Sequence, residues 1–131
     1  MNATKTTTTL DNLVQKIFSH MADGTILDAM NTLYDDNVQM QENANPPTVG
    51  LPANIEREKQ FLANVKEWKS LDLHAVATKP EPSDPTSGVA LVEYAFEFIN
   101  QQDQPVRYEQ VAVQHWKNGK ITRERFYYNA G

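Results

Sequence analysis

The chain has 131 residues, and its 17 acidic against 12 basic side chains give a formal charge of −5 at pH 7. This acidic balance argues against nucleic acid and anionic membranes as partners. The absence of cysteine excludes disulfides, thiolate catalysis and Cys-ligated zinc, and it suits the reducing cytoplasm, where we expect the protein to act.

The first nine residues are rich in threonine and lack the apolar stretch of a signal peptide. We therefore expect a disordered tail over residues 1–9, followed by a single domain over residues 10–131. No apolar run approaches the roughly 18 residues that a membrane span requires. The sequence thus gives no reason to expect a membrane partner.

Two helices are predicted near the N-terminus. Apolar residues recur at helical spacing from Leu10 to Met21, and Gly24 suits the position just past a helix. Thr25 and Asp28 predict a capping box at the start of the second helix. A short strand over residues 38–43 and an extended, proline-containing loop follow.

A third helix is predicted to begin near Pro52, a residue suited to a first helical turn. Its apolar stripe is predicted to consist of Ile55, Phe61, Leu62, Val65 and Trp68. A strand over residues 71–79 comes next. Residues 80–88 contain three prolines and a glycine and predict a loop.

The last third of the chain predicts three long strands, over residues 89–100, 106–117 and 120–129. Asn118-Gly119 between the last two is the strongest short-range signal for a hairpin. Strands that exceed the usual five or six residues twist and curl, so we expect a concave inner wall. Helices gathered on one side of a mostly antiparallel sheet define an α+β domain.

The order of these elements, with four segments, resembles the nuclear transport factor 2-like (NTF2-like) superfamily, and in particular its SnoaL-like branch, over residues 10–129. The segments are 21–24, 33–38, 47–50, and 115–121 with 126–128. The resemblance implies a cone-shaped fold in which three N-terminal helices pack on a strongly curved sheet. It does not fix an activity, because the superfamily includes ketosteroid isomerases, scytalone dehydratases, polyketide cyclases, limonene epoxide hydrolases and purely binding members.

Strand alternation, together with the resemblance, predicts which side chains face the cavity of the cone. The expected ligand pocket consists of Ile17, Met21, Met40, Glu42, Tyr94, Gln110, Gln114, Trp116, Glu124, Phe126 and Tyr128. A register slip of one residue would turn the strand residues to the other face.

The outer face of the last hairpin combines valines with side chains of both charge signs. These outward residues are Arg107, Glu109, Val111, Val113, His115, Arg123, Arg125 and Tyr127. Such a face suits a self-complementary two-fold interface, and members of the superfamily commonly dimerise through it. We therefore expect a homodimer through the outer sheet face.

Glu42 is the candidate catalytic base, because a carboxylate in an apolar pocket has a raised pKa. In the ketosteroid isomerases the base lies near the end of the same strand. Glu42 could instead be solvated at its strand end, or it could share a proton with Glu124. The resemblance places Ile17 and Gln114 where those isomerases use a tyrosine and a protonated aspartic acid, so we do not expect ketosteroid isomerase activity.

Two functions remain open from the sequence. In the first, the cone binds a small, largely apolar or amphipathic ligand, and any chemistry is cofactor-free acid–base catalysis by an isomerase, dehydratase, cyclase or epoxide hydrolase. In the second, the protein is a non-catalytic dimeric binding or interaction module whose own side chains fill the cavity. The three histidines have no metal-binding spacing, so no metal or other cofactor is expected.

Overall fold

Three helices and six strands form the part of the chain that the computed structural model describes, residues 8–129. The helices are α1 (Leu10–Asp23), α2 (Ile26–Leu33) and α3 (Leu51–Ala63). The strands are β1 (Tyr34–Glu42), β2 (Thr48–Val49), β3 (Val65–Glu81), β4 (Asp84–Asn100), β5 (Pro105–Lys117) and β6 (Lys120–Tyr128).

The six strands form one sheet in the order β2-β1-β6-β5-β4-β3. Only the β1–β6 pair is parallel, and the other four pairs are antiparallel. The helices supply apolar side chains to a core shared with the inner faces of β4, β5 and β6. The predicted α+β fold is therefore confirmed.

The closing hairpin has the turn that its sequence predicts. Asn118 and Gly119 have φ angles of 50° and 79°, the positive values that a two-residue hairpin turn of this kind needs. The pairing shifts by one residue between His115 and Trp116, and beyond that shift Gln114 pairs with Glu124 and Ala112 pairs with Phe126. These residues are buried or partly buried, so this face of the hairpin is directed toward the helices.

The proline-rich segment over residues 80–88 is mostly strand, which corrects the predicted loop. Strand β3 runs to Glu81 and β4 begins at Asp84. Pairing with β5 starts only at Gly88, so Pro85 lies where no hydrogen bond to β5 is needed. Gly88 has a φ of 136°, and a Cβ there would lie 2.2 Å from the carbonyl oxygen of Lys79. The two strands can approach this closely only because residue 88 is glycine.

Three further local features differ from the sequence prediction. Helix α3 ends at Ala63, so Val65 and Trp68 belong to β3, where Trp68 pairs with Phe98. The Thr25 side chain makes no capping bond to the backbone of α2, because its hydroxyl instead contacts the His20 imidazole at 2.8 Å. Strand β1 begins at Tyr34 and accommodates the following polar residues in an irregularity of its pairing with β6.

Helix α1 begins at Leu10, directly after the segment predicted as a tail, and only its N-cap lies within that segment. Thr9 is the N-cap of this helix, and its hydroxyl accepts a hydrogen bond from the Asn12 backbone N–H at 3.3 Å. The remainder of the predicted tail, residues 1–7, lies outside the described residues. Within residues 8–129, no helix is both long and apolar enough to cross a bilayer.

Candidate functional site

A cavity of about 550 Å³ lies between the helices and the concave face of the sheet. This volume falls in the range of small-molecule sites, roughly 300–1,000 Å³. Helix α1 contributes Ile17 and Phe18 to the wall, α3 contributes Glu58 and Phe61, and the sheet contributes Tyr94 among others. The side chains of the described residues therefore do not fill the cone.

The structure brings most of the predicted pocket residues to this cavity. Those that line it are Ile17, Met21, Met40, Glu42, Tyr94, Gln110, Gln114, Glu124 and Phe126. Trp116 and Tyr128 are not part of the wall. Trp116 is buried in the core beside Gln114, and the Tyr128 ring packs edge-on against Tyr108 with centroids 5.4 Å apart.

Glu124 is a buried carboxylate, only 2% exposed, at the inner end of the cavity. The Tyr34 hydroxyl donates to its Oε1 at 2.6 Å, and the Gln114 amide donates to its Oε2 at 2.8 Å. Burial raises the pKa of Glu124, and the two hydrogen bonds oppose that rise. Both carboxylate oxygens are thus already engaged by side chains of the protein.

The orientation of Gln114 follows from the residue behind it. The indole N–H of Trp116 donates to Gln114 Oε1 at 3.1 Å, and an indole can only donate. The amide nitrogen of Gln114 must therefore face Glu124. Gln114 acts here as a link between two buried side chains rather than as a donor reserved for a ligand.

Glu42 lies at the cavity wall, but its surroundings are polar. Its Oε2 lies 2.6 Å from Nη2 of Arg57, and its side chain is 39% exposed. Burial, followed by the negative charge of Glu42, raises the pKa of Tyr128 to about 12. The sheet register places Glu124 opposite Met40 rather than opposite Glu42. Glu42 therefore lacks the desolvated site that its proposed role as a base requires, and another carboxylate of the cavity has that site.

That carboxylate is Glu58 on α3, which the sequence interpretation missed. Burial raises its pKa from 4.5 to about 7, the negative charges of Glu124 and then Glu42 add to the rise, and the positive charge of Arg57 opposes it. No side chain or backbone group in residues 8–129 forms a hydrogen bond or an ion pair with the Glu58 carboxylate. Every wholly buried polar side-chain atom of the described chain has a partner, so the oxygens of Glu58 are accessible from the cavity.

Helix α3 is held in place by Asn54, one turn before Glu58. Asn54 is buried, and its side-chain amide donates to the carbonyl oxygens of Val38, Thr48 and Gly50 at 3.3, 3.0 and 2.8 Å. These bonds fasten the first turn of α3 to β1 and β2. Residues four apart share a helix face, so the same anchoring directs Glu58 toward the cavity.

A sequence signal for Glu58 existed. Glu58 lies three residues after Ile55 and three residues before Phe61, inside the apolar stripe predicted for α3. A carboxylate within such a stripe must be directed toward the core or toward a cavity. Burial of that stripe then distinguishes Glu58 from the exposed Glu56 of the same helix.

Tyr94 on β4 supplies the other polar group of the central wall. It is 6% exposed, and its hydroxyl oxygen accepts a hydrogen bond from the Gln110 amide at 2.6 Å. Burial, and then the negative charge of Glu124, raise the pKa of Tyr94 well above the usual range. Its hydroxyl therefore stays protonated at neutral pH. No cluster of three metal-ligating side chains occurs within the described part of the chain.

The curved sheet and its three covering helices form the α+β cone of the NTF2-like proteins. An NTF2-like protein of unknown function from Burkholderia pseudomallei superposes with a TM-score of 0.76 at 10% identity, covering 94% of this chain and 92% of that one. This agreement confirms the fold that the sequence resemblance implied.

Among the similar solved structures are proteins with proposed activities. One is a proposed polyketide cyclase from Xanthomonas campestris, with a TM-score of 0.71, 19% identity and coverage of 91% of this chain and 89% of that one. Another is a proposed isomerase from Bacillus subtilis, with a TM-score of 0.70, 18% identity and coverage of 91% and 85%. Neither a protein-family model nor a curated protein matches the sequence.

Proposed function

We propose that the protein binds a small, largely apolar ligand in the cone cavity and moves a proton on it, with Glu58 as the base. The observation that carries this proposal is a cavity-facing carboxylate without a hydrogen-bond partner and with a pKa of about 7. Such a group is about half deprotonated at neutral pH, which suits both proton removal and proton return.

The proposed step needs no cofactor. Glu58 accepts a proton from a C–H or O–H bond of the ligand, and the electron pair of that bond shifts within the ligand. The protonated Glu58 then returns the proton to another ligand atom. The base is thereby regenerated, and the ligand undergoes no net oxidation or reduction. Isomerisation and cyclisation follow this balance, and they match the activities proposed for structural neighbours of this chain.

The base assignment moves from Glu42 to Glu58 in this proposal. The Glu42 carboxylate is half-exposed and already engaged in an ion pair with Arg57. Glu58 forms no ion pair within residues 8–129, and the positive charge of Arg57 only partly offsets the rise in its pKa. The negative charge of Glu42 still contributes, because it helps to raise the pKa of Glu58.

Deuterium uptake into a simple ketone tests the proposal without knowledge of the natural substrate. In D₂O, the protein is expected to accelerate exchange of the C–H bonds beside the carbonyl of 2-tetralone, as followed by NMR. The accelerated rate should rise with pH and level off above about 7, as Glu58 loses its proton. Glu58→Gln should lower the rate by about a hundredfold or more, the usual contribution of a general base.

The matched control is Glu56→Gln, which makes the same change at an exposed position of the same helix and should leave the rate unchanged. Loss of the rate in Glu42→Gln with retention in Glu58→Gln would return the base role to Glu42. Binding of the ketone without any acceleration, in the unmodified protein, would favour the non-catalytic binding module.

We also propose that two copies pair through the outer face of the sheet. Leu91 and Tyr127 are 45% and 44% exposed there. Val113 lies between Leu91 and Arg125 in the strand register, which gives this face its mixture of apolar and charged side chains. A two-fold axis would bury the apolar residues of each copy against the other copy.

A further inference from the structure

Several hydrogen-bond donors around the cavity are already committed within the protein. The Tyr34 hydroxyl and the Gln114 amide donate to Glu124. Arg57 donates to Glu42 and to Thr48. A ligand that carries an acceptor atom must therefore find a donor elsewhere on the wall.

Tyr94 has such a donor. Its oxygen accepts the bond from Gln110, and no acceptor in residues 8–129 takes its hydrogen. A tyrosine hydroxyl can donate one hydrogen bond while it accepts another. At 6% exposure, the hydroxyl is largely shielded from bulk water, so its free hydrogen is directed to whatever the cavity holds.

Neighbouring rings fix where that hydroxyl lies. Phe18 from α1 meets the Tyr94 ring edge-on at 6.4 Å between centroids, and Phe96 stacks beside it at 6.2 Å. Packing from both sides restricts the ring torsions, so the donor is preorganised rather than recruited by the ligand. Preorganised donors lose less entropy on binding.

The charges around the cavity restrict what the donor can bind. Glu42, Glu58 and Glu124 all line the cavity. The two cations among the described lining residues are already paired, Arg57 with Glu42 and Lys69 with Glu67. A ligand carboxylate at Tyr94 would meet these negative charges without a free cation to balance its own. A neutral oxygen acceptor avoids this repulsion.

We propose that Tyr94 determines specificity by donating its hydroxyl hydrogen to a neutral carbonyl oxygen on an otherwise apolar ligand. The Gln110 amide acts as a positioning group, because its bond to the tyrosine oxygen leaves the hydrogen directed away from β5. This inference rests on the proposed ligand-binding cavity, and it names the class of molecule that the cavity takes.

The test compares two probes of nearly the same shape, 2-tetralone and its hydrocarbon counterpart tetralin, by the change in tryptophan fluorescence on binding. Tyr94→Phe removes one oxygen atom only. It should weaken the binding of 2-tetralone by about three- to tenfold, the equivalent of one hydrogen bond, and should leave tetralin within about twofold. The carboxylate analogue, tetralin-2-carboxylate, should bind the unmodified protein more weakly than the ketone.

Infrared difference spectra give a direct readout of the contact. The carbonyl stretch of bound 2-tetralone should lie at lower wavenumber than in an apolar solvent, and Tyr94→Phe should abolish this shift. Tyr127→Phe is the matched control, because it removes the same atom from the outer face and should leave the shift in place. The double variant Tyr94→Phe with Gln110→Leu removes both partners of the bond, so it avoids an unpaired amide and should repeat the result of the single variant.

Several results would overturn the inference. Equal weakening of ketone and hydrocarbon by Tyr94→Phe would show that the hydroxyl does not contact the carbonyl. An unchanged infrared shift in Tyr94→Phe, or its loss in Tyr108→Phe instead, would assign the donor to another group. Failure of both probes to bind would overturn the ligand-binding proposal itself. Loss of deuterium exchange in Glu58→Gln with normal ketone binding would instead support Glu58 as the base. It would also show that ketone binding, which is assigned to Tyr94, does not depend on Glu58.

Discussion

Glu58 and Glu42 carry the same functional group at the same cavity, but their surroundings differ. Glu42 has an arginine partner and contact with solvent. Glu58 is largely desolvated and close to two other negative charges. At the residue scale, then, the environment rather than the residue type determines which carboxylate is suited to accept a proton.

The raised pKa of Glu58 predicts a pH-dependent stability. Below pH 4.5 the carboxyl is protonated in both the folded and the unfolded chain. As the pH rises from 4.5 to about 7, the unfolded chain releases the proton first, so this group's contribution to the free energy of unfolding falls. Glu58→Gln cannot ionise, and it should be more stable than the parent at pH 8, by on the order of 2 kcal/mol, and close to the parent near pH 4.5.

Urea unfolding of both proteins at a series of pH values measures this difference. Glu56→Gln, an exposed change on the same helix, should show no such pH-dependent gain. A constant difference between Glu58→Gln and the parent from pH 4.5 to 8 would contradict the raised pKa of Glu58 in the folded protein.

Helix α3 is the element that places the candidate base, Glu58, in the cavity. Its first turn is fastened by Asn54 to carbonyl groups of β1 and β2, and its inner face carries Glu58 and Phe61 into the cavity. The aromatic contacts of Phe61 with Phe98 and Tyr108, at 5.4 and 6.3 Å between centroids, hold the far end against the sheet.

Loss of the Asn54 anchor should therefore affect both stability and function. Asn54→Ala removes the amide whose two N–H groups contact three carbonyl oxygens, and it leaves a small void. We expect a loss of about 1–3 kcal/mol in the free energy of unfolding. The rate of deuterium exchange should also fall, because Glu58 would be less well positioned. Urea unfolding and the exchange assay measure the two effects.

Asn31→Ala provides the comparison at an exposed helical position, where the side chain bonds only to the Leu27 carbonyl. A change of no more than about 0.5 kcal/mol is expected there. Equal losses in the two variants would contradict the anchoring role of Asn54.

At the scale of the whole molecule, the two faces of the sheet have different proposed uses. The concave face surrounds the cavity, and the outer face carries the exposed Leu91 and Tyr127. The two proposals can share the same strands, because successive residues of a strand point in opposite directions.

Light scattering at micromolar concentration tests the proposed dimer. The expected mass is about twice that of the 14.9 kDa chain, and Leu91→Lys should shift it toward the monomer by placing a charge in an apolar contact. Val49→Lys, at an exposed apolar residue of the edge strand β2, should leave the mass unchanged. A mass near that of one chain for the unmodified protein would contradict the proposal.

The sequence by itself determined the two strands of the closing hairpin and the turn between them. Asn118-Gly119 specifies a two-residue turn that pairs Lys117 with Lys120. An irregularity between His115 and Trp116 then shifts the pairing by one residue, so that Gln114 lies opposite Glu124 rather than Arg123. The conformation of such a turn depends on its own residues and not on residues distant in the sequence. The same reasoning failed for residues 80–88, because the tolerance for proline there depends on where β5 ends.

Only the tertiary structure decided which carboxylate is desolvated. Glu42 belongs to a strand with the expected alternation, but Arg57 from α3 reaches it across the sheet edge. Glu58 is partly buried because α3 packs over the concave face, at a distance from β4 and β5 that no local pattern encodes. Desolvation and charge pairing depend on three-dimensional neighbours, so the identity of the candidate base emerged only from the folded chain.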